Sequence, residues 1–264
     1  MIDIHTHILP QCDDGSQDLE TSLKHLRISE EIGITDLVLT PHFMINQYHN
    51  TKNILSELFD LLNNAVQKDD LKIKLHLGAE AYLDEKIISF IESENLTINN
   101  TKYVLVETGM NSFPANFYDL LFNLVRKGYK PILAHPERYS PIMKNIFLAE
   151  DIIRRNVLLQ LNAGSFLGFY GNQVQKTVWK LLDNGFAHFL ASDNHCRIES
   201  HPFVEACDKI SEKYDDYLIE LLTEINPRRM LNNENIDFFY LEKEELLKEN
   251  PIKNFFSKIS KIIN

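Results

Sequence analysis

The chain has 264 residues, of which 44% are hydrophobic and 25% are charged. These proportions are typical of a globular protein, and no apolar run approaches the roughly 20 residues that cross a bilayer, so a disordered chain and a membrane span are both excluded. Because acidic residues outnumber basic residues by 38 to 27, the net charge is -11, which disfavours nucleic acid as a general partner.

The cysteines and the first residues bear on location and chemistry. The chain opens Met-Ile-Asp-Ile-His, without the basic and apolar stretches of a secretory signal, and its three cysteines are too few for a disulfide framework. We therefore expect a reduced, cytoplasmic protein. No cysteine is followed six positions later by arginine and no G-x-x-x-x-G-K-[ST] loop occurs, which excludes a cysteine-dependent phosphatase loop and a P-loop.

Strand-like and helix-like segments alternate along the chain. Short β-branched or aliphatic runs predict seven strands, at 2–4, 36–40, 73–79, 103–107, 131–135, 157–161 and 187–192. Apolar residues at helical spacing predict helices at 19–32, 52–67, 115–127, 145–155 and 173–184, and further helices from about 203 onward. This alternation predicts an α/β fold with parallel strands, either a barrel or a doubly wound sheet. Since no linker is visible, we expect one domain over 1–240, followed by a tail over 241–264.

Histidine, aspartate or glutamate follows six of the seven predicted strands at the carboxyl end, where parallel α/β folds build their sites. His5 and His7, two positions apart on an extended chain, project to the same side. Glu80 and Glu107 each close an apolar run, where an unpaired carboxylate would be costly and a cation would remove the cost. The candidate metal ligands are His5, His7, His42, Glu80, Glu107, His135, Asp193 and His195.

This mixed imidazole and carboxylate set suits Mn, Zn or Fe better than Ca. It exceeds the needs of one ion, which predicts two or three ions roughly 3.5–4 Å apart. Asp14 is either a further ligand or part of an ordinary Asp-Gly turn. Arg138, three residues beyond His135, either holds phosphate oxygens in a fork or forms a surface ion pair. The remaining strand and helix histidines, His25, His49, His76 and His188, are expected to be core or surface residues.

Five motifs carry a family resemblance. They are Asp3-Ile4-His5-Thr6-His7-Ile8-Leu9-Pro10, Asp13-Asp14-Gly15, Thr40-Pro41-His42, Ala134-His135-Pro136-Glu137-Arg138-Tyr139 and Ala191-Ser192-Asp193-Asn194-His195. From residue 1 to about 235 the chain resembles the polymerase-and-histidinol-phosphatase (PHP) superfamily, and within it the bacterial manganese-dependent protein tyrosine phosphatases of capsule and exopolysaccharide operons.

The resemblance implies a distorted seven-stranded, TIM-like (β/α) barrel with a three-metal site, to which the sequence adds C-terminal helices. It implies that the first ion is held by His5, His7, Glu80 and Asp193, the second by Glu80, Glu107 and His135, and the third by Asp14, His42 and His195. The family often has a second phosphate-binding arginine about seven residues past the aspartate of the last ligand pair. In this sequence Arg197 is the candidate replacement, although its register differs.

The expected activity is hydrolysis of phosphotyrosine by direct attack of a metal-bound hydroxide, with Mn²⁺ as the first choice of ion and Arg138 neutralising charge on the transferred group. The implied partner is an autophosphorylating bacterial tyrosine kinase of polysaccharide export. Three alternatives stay open: a small-molecule phosphatase of the histidinol-phosphate type, an amidohydrolase-type enzyme, and a non-catalytic binding protein stabilised by metal. The two glutamates and the Asp-x-His ending disfavour the amidohydrolase, and a non-catalytic protein would be expected to have lost ligands.

The end of the chain has a composition of its own. Residues 248–264 contain four lysines and one glutamate, and their apolar residues recur at spacings that place them on one helical face. Two interpretations follow: a terminal helix that packs on the barrel, or a basic amphipathic segment that contacts an anionic membrane or a membrane-bound kinase.

Overall fold

The computed structural model describes residues 1–197 and 201–236. The predicted domain boundary at 240 and the predicted amphipathic tail over 241–264 lie outside the described residues. Among the helices that are described, none combines the length and the apolar composition needed to cross a bilayer.

The strands of the described chain form two parallel sheets. They are β1 (Ile2–Thr6), β2 (Asp36–Leu39), β3 (His42–Phe43), β4 (Lys74–Leu77), β5 (Glu80–Tyr82), β6 (Tyr103–Glu107), β7 (Lys130–Ala134), β8 (Leu158–Asn162) and β9 (Phe189–Ala191). One sheet has the order β1-β2-β4 and the other the order β3-β5-β6-β7-β8-β9. Every pairing is parallel, which confirms the predicted α/β fold.

All seven predicted strand segments are present, and two of them are each followed by a second, short strand that was not predicted. Pro41, which has no N–H to donate, separates β2 from β3, and the pair Gly78-Ala79 separates β4 from β5. At each break the chain passes from one sheet to the other. At the opposite edges of the two sheets, the His7 N–H donates to the Asn194 carbonyl at 2.9 Å, which brings the end of β1 close to the end of β9. A single closed barrel of seven strands stays a prediction.

Helices follow most strands and cover the sheets. They are α1 (Leu19–Glu31), α2 (Lys52–Lys68), α3 (Ile87–Glu94), α4 (Phe117–Arg126), α5 (Ser140–Lys144), α6 (Phe147–Ile153), α7 (Ala163–Leu167), α8 (Asn172–Asp183), α9 (Pro202–Ser211), α10 (Asp216–Glu220) and α11 (Asn226–Leu231). The five helices predicted before residue 200 are α1, α2, α4, α6 and α8, and the predicted helices after 203 are α9 to α11. Asp18 begins α1 by accepting the Thr21 N–H at 2.8 Å.

Most strands are buried on both faces, as parallel strands covered by helices usually are, whereas the residues of β4 are exposed or half-buried. Ile132 of β7 packs in an inner cluster with Ile4 and Leu158, whereas its neighbour Leu133 packs in the outer cluster beneath the helices. Both residues are fully buried. This alternation fills the space between the strands with apolar side chains and leaves the polar side chains at the strand ends.

Candidate metal centre

The predicted ligands meet at the carboxyl ends of the strands. Glu107 is the last residue of β6, His135 follows β7 directly, and Asp193 lies two residues beyond β9. Together with Glu80 and Arg138 they line a cavity of about 350 Å³. The topology therefore brings residues that are far apart in the sequence to one edge of the fold.

His42 and Glu80 reach this edge differently from the prediction. The sequence analysis placed each just past the end of a long strand, but each is the first residue of a short strand, β3 and β5 respectively, and the two residues pair in register. The reason is local, because Pro41 and Gly78-Ala79 interrupt the longer strands immediately before them. The side chains still enter the cavity.

One group of donors consists of His5, His7, Glu80 and Asp193. The Nε2 atoms of His5 and His7 are 3.1 Å apart. Each of these nitrogens lies 3.3–3.4 Å from Glu80 Oε2 and 3.4 Å from Asp193 Oδ1. All four side chains are buried. This is the set that the family resemblance implies for the first ion.

The hydrogen bonds of His5 Nδ1 and His7 Nδ1 show which nitrogen of each ring carries the hydrogen. Gln160 Oε1 lies 2.8 Å from His5 Nδ1, and Asp13 Oδ2 lies 2.6 Å from His7 Nδ1. Since carboxylate and amide oxygens accept, each Nδ1 carries the hydrogen and donates it. The Nε2 lone pairs then point at each other and at two carboxylates, an arrangement that requires a proton or a metal ion between them.

Glu80 also faces a second group of donors. Its Oε1 lies 3.0 Å from His135 Nε2, and its Oε2 lies 3.0 Å from His42 Nδ1, which is equally close to Glu107 Oε1. Within the described residues, Glu80 Oε2 and His42 Nδ1 are buried without a well-aligned hydrogen bond. One carboxylate thus stands between two sets of nitrogen donors.

A third group surrounds Asp14. Its Oδ1 lies 3.4 Å from His195 Nε2 and 3.5 Å from His42 Nε2. His195 places Nδ1 2.9 Å from the backbone carbonyl of Asp193, so its Nε2 is free to accept. The Asp13-Asp14 turn packs so closely on β1 that a Cβ on Gly15 would lie 2.0 Å from the His7 carbonyl oxygen. The turn therefore holds the Asp14 carboxylate beside His42 and His195.

The electric field of the site favours positive charge. Burial alone would lower the pKa of a histidine, yet the carboxylates of Glu80 and Asp193 raise the pKa of His5 above its usual value. For His42, likewise against burial, the adjacent Glu107 and Glu80 raise the pKa to about 10. Burial opposes ionisation of Asp193, but the neighbouring histidines hold its pKa well below the usual range. The site as a whole therefore favours the binding of cations or protons.

Arg138 lies at the same cavity. Its Nη1 donates to Asp193 Oδ2 at 3.1 Å, and its guanidinium stacks over the Tyr170 ring with 4.4 Å between the guanidinium carbon and the ring centroid. Arg138 therefore does form an ion pair, but with a buried carboxylate of the cluster and not on the open surface. Arg197 lines the cavity too, is 65% exposed, and contacts the Asp14 carboxylate.

Residues 1–232 match the family model described as "Capsular polysaccharide synthesis, CpsB/CapC". The chain belongs to this CpsB/CapC family. It is 35% identical to the putative tyrosine-protein phosphatase CapC of Staphylococcus aureus, over 89% of this chain and 93% of the relative. It is 30% identical to the tyrosine-protein phosphatase YwqE of Bacillus subtilis, over 97% of this chain and all of the relative.

One solved structure agrees with the CpsB/CapC assignment, and a second shares the fold. The chain matches a structure from a study of YwqE of Bacillus subtilis and CpsB of Streptococcus pneumoniae, described as unique metal-dependent tyrosine phosphatases, with a TM-score of 0.84, 30% identity and coverage of 90% and 96% of the two chains. A histidinol phosphate phosphatase of Lactococcus lactis, solved with zinc, L-histidinol and phosphate, matches with a TM-score of 0.50 and 15% identity, over 94% of this chain and all of that one. The second match shows the fold alone.

In this CpsB/CapC protein, β8 contributes residues that the sequence analysis missed. Gln160 accepts from His5, and it also donates to Asn162 Oδ1 at 2.7 Å. Asn162 in turn donates to Asp193 Oδ2 at 2.7 Å. The available signal was that β8, the one predicted strand without a candidate ligand, nevertheless places two amides in a buried segment. The two amides therefore hold the His5 ring and the Asp193 carboxylate in place.

The four histidines that the sequence analysis set aside lie outside the cluster. His76 contacts Asp36 at 3.0 Å, His188 accepts the Leu159 N–H at 3.1 Å, and His49 packs against Phe43. His25 lies 3.2 Å from the side-chain amide of Asn194.

Burial raises the pKa of Cys196 to about 12, which makes this thiol a poor nucleophile at neutral pH.

Proposed function

We propose that this CpsB/CapC protein is a metal-dependent protein tyrosine phosphatase. The observation that carries the proposal is the position of Glu80, whose two carboxylate oxygens face separate sets of histidine nitrogens beside an arginine. Two or three divalent ions joined by a bridging carboxylate are a recurrent solution to phosphate ester hydrolysis. The relatives' names supply the substrate class, since they are called tyrosine-protein phosphatases.

The donor set fits Mn²⁺, and Fe or Zn would suit the same atoms. We assign the first ion to His5, His7, Glu80 and Asp193, the second to Glu80, Glu107 and His135, and the third to Asp14, His42 and His195. Bound ions would lower the pKa of a water molecule towards neutrality and attract the phosphate oxygens, which is the chemistry that direct hydrolysis needs.

The side chains around the ligands have separate tasks. Arg138 presents a planar donor fork to the cavity, and we assign it to the phosphate oxygens of the substrate. Asp13 and Gln160 hold the rings of His7 and His5 with Nε2 directed into the site. The tyrosine leaving group has a reference pKa near 10, so it departs with less help from an acid than an alkoxide requires.

A substrate panel tests the proposal. Purified protein with added Mn²⁺ is given a phosphotyrosine peptide, histidinol phosphate and a peptide amide, before and after chelation. We expect metal-dependent hydrolysis of the phosphotyrosine peptide, with inhibition by orthophosphate. Preference for histidinol phosphate or the amide would establish one of the alternative activities, and metal binding without any turnover would establish a non-catalytic protein.

Thiol alkylation separates the proposed chemistry from cysteine catalysis. Burial raises the pKa of Cys196 and Cys207 to about 12, so neither thiol is poised to attack phosphorus. Alkylated protein that retains its metal should keep its activity. Complete loss of activity with full metal content would refute metal-assisted attack.

The proposals for the physiological partner and location rest on the family's connection to capsular polysaccharide synthesis. We propose an autophosphorylating bacterial tyrosine kinase as the phosphoprotein, and a cytoplasmic location in which the basic tail over 241–264 contacts the membrane. Deleting residues 250–264 and measuring sedimentation with anionic vesicles tests the tail. A loss of thermal stability, together with no vesicle binding by the intact protein, would assign the tail to packing instead.

A further inference from the structure

The cavity at the metal centre has an aromatic wall that the proposed chemistry does not use. Phe169 and Tyr170 lie between α7 and α8 and line the cavity with His135 and Arg138. Phe169 is 51% exposed and Tyr170 is 37% exposed, although large aromatic rings are usually buried. An aromatic ring held half in water at the mouth of a polar pocket offers a contact surface to a ligand.

The local backbone fixes where these rings stand. Helix α7 ends in a left-handed residue, Gly168, with φ of +84°, and the Phe169 N–H returns to the Gly164 carbonyl at 3.0 Å. A Cβ on Gly164 would lie 2.9 Å from the Phe169 ring and 3.4 Å from the Tyr170 ring. Both rings therefore pack directly on the backbone of α7, and a side chain at 164 would displace them.

Tyr170 and Phe169 have different surroundings. The face of Tyr170 is covered by the Arg138 guanidinium, which Asp193 also holds. Burial raises the pKa of the Tyr170 hydroxyl to about 12, so this ring stays neutral beside the arginine. Tyr170 thus belongs to the support of Arg138, while Phe169, the more exposed of the two rings, is the one available to a ligand.

Arg138 and Phe169 line the same cavity as the proposed metal ligands. An ester whose phosphate contacts the metal ligands and Arg138 therefore has its organic group in a cavity that Phe169, with half of its surface exposed, also lines. The first group beyond the ester oxygen is a flat ring in phosphotyrosine and a short alkyl chain in phosphoserine. Only the ring can stack on Phe169 in an offset or edge-to-face arrangement.

We propose that Phe169 binds the phenyl ring of phosphotyrosine and is a specificity-determining residue of this site. The inference rests on the proposed function, because it assumes that an aryl phosphate occupies the cavity. Loss of the ring should lower kcat/KM for an aryl ester about three- to tenfold, which is the size expected for one aromatic contact. It should leave the affinity for free phosphate unchanged, because free phosphate has no ring.

The test uses the full chain loaded with Mn²⁺ and compares Phe169→Ala and Phe169→Tyr with the wild type. We expect Phe169→Ala to lower kcat/KM for a phosphotyrosine peptide while the inhibition constant of orthophosphate stays constant, and Phe169→Tyr to restore kcat/KM. Phe147→Ala is the matched control, since Phe147 is a 59% exposed phenylalanine that does not line this cavity. An unchanged kcat/KM in Phe169→Ala would overturn the proposal, and so would an equal loss of phosphate affinity.

A binding measurement separates this inference from the proposed activity. Calorimetry with a peptide that carries a non-hydrolysable aryl phosphonate reports ring binding without turnover. We expect Phe169→Ala to bind it about three- to tenfold more weakly than the wild type. Wild-type protein that binds the phosphonate peptide but does not hydrolyse the phosphotyrosine peptide would refute the proposed function, whereas equal affinities of the two proteins would refute the role of Phe169.

Discussion

The two ends of the strands carry charged clusters of opposite design. At the amino end of β2, Asp36 is almost fully buried, and Arg228 of α11 donates to its Oδ2 at 3.0 Å. His76 contacts the other oxygen at 3.0 Å. The guanidinium is charged at every physiological pH, so this cluster is neutralised by the chain itself.

At the carboxyl end, the carboxylates face histidine nitrogens instead. Glu80 is surrounded by His5, His42 and His135, and Arg138 reaches only Asp193 among the cluster's carboxylates. Arg138 pairs with Asp193 and Arg197 with Asp14, but the positive charge beside Glu80 and Glu107 must come from protons or metal ions, both of which exchange with solution. The comparison teaches that buried carboxylates left to exchangeable cations mark a functional site, whereas a buried carboxylate neutralised by a fixed cation, such as Asp36, stabilises the fold.

The largest expected effect comes from removing a donor at the carboxyl end. His135→Ala and Asp193→Ala should each lower phosphotyrosine hydrolysis by orders of magnitude, because each removes a proposed ligand at a strand end and not a core side chain. Circular dichroism should show a retained fold. The matched control is His76→Ala at the amino end, which should keep full activity. Wild-type turnover and metal content in His135→Ala would contradict the assignment.

The next effect concerns the arginine of each cluster. Arg138→Lys should lower kcat/KM about a hundredfold at unchanged metal content, because a point ammonium cannot form the bidentate contact. Arg228→Lys at the amino end should leave kcat/KM unaltered. Steady-state kinetics measure kcat/KM of each variant, and elemental analysis measures its metal content. Near-normal kinetics for Arg138→Lys would reduce Arg138 to an ion-pair partner of Asp193.

A smaller effect is expected from a residue that contacts proposed ligands but is not itself one of them. Asp13→Asn keeps the shape of the side chain but removes the charge opposite His7 Nδ1, so Mn²⁺ affinity should fall about 10- to 100-fold. Competition with a fluorescent chelator measures this affinity. Since Asp36→Asn lies at the other end of the strands, it should not change the affinity. Equal affinities of Asp13→Asn and wild type would show that Asp13 only shapes the turn.

The smallest effect is on stability at the amino end. Burial opposes ionisation of Asp36, but His76, Arg228 and Thr35 together hold its folded-state pKa below the usual value. Because this folded-state pKa lies below the unfolded value, near 4, the ionised Asp36 contributes its full stability at pH values above 4. The contribution is lost as the pH falls below that value and through the folded-state pKa. Asp36→Asn should therefore cost about 1–2 kcal/mol at neutral pH, a modest figure because Arg228 is 40% exposed.

Urea unfolding of the metal-free protein, followed across the acid range, tests this dependence. The difference between wild type and Asp36→Asn should shrink as the pH drops below about 4. A difference that stays constant over this range would mean that the Asp36 charge contributes no stability.

Sequence spacing predicted which proposed ligands would meet at one edge of the fold, but not the residues that support them. His5-x-His7 lies at the end of β1 and Asp193-x-His195 just after β9, so local spacing brings each pair to this edge. Gln160 and Phe169 carry no such local signal. Gln160 depends on the strand neighbour that β8 acquires, and Phe169 depends on the reversal after α7. Likewise, apolar runs cannot show that Pro41 and Gly78 divide two strands, because the division depends on which sheet each half joins.

The most direct test of the metal centre is anomalous diffraction at the manganese edge from crystals grown with Mn²⁺. Two or three strong peaks should lie among the ligands, one of them between the Nε2 atoms of His5 and His7 and the carboxylate of Asp193, and another beside Glu80 on the side of His135. A map without manganese at these positions, from protein that hydrolyses the phosphotyrosine peptide at its full rate, would contradict the metal-dependent mechanism.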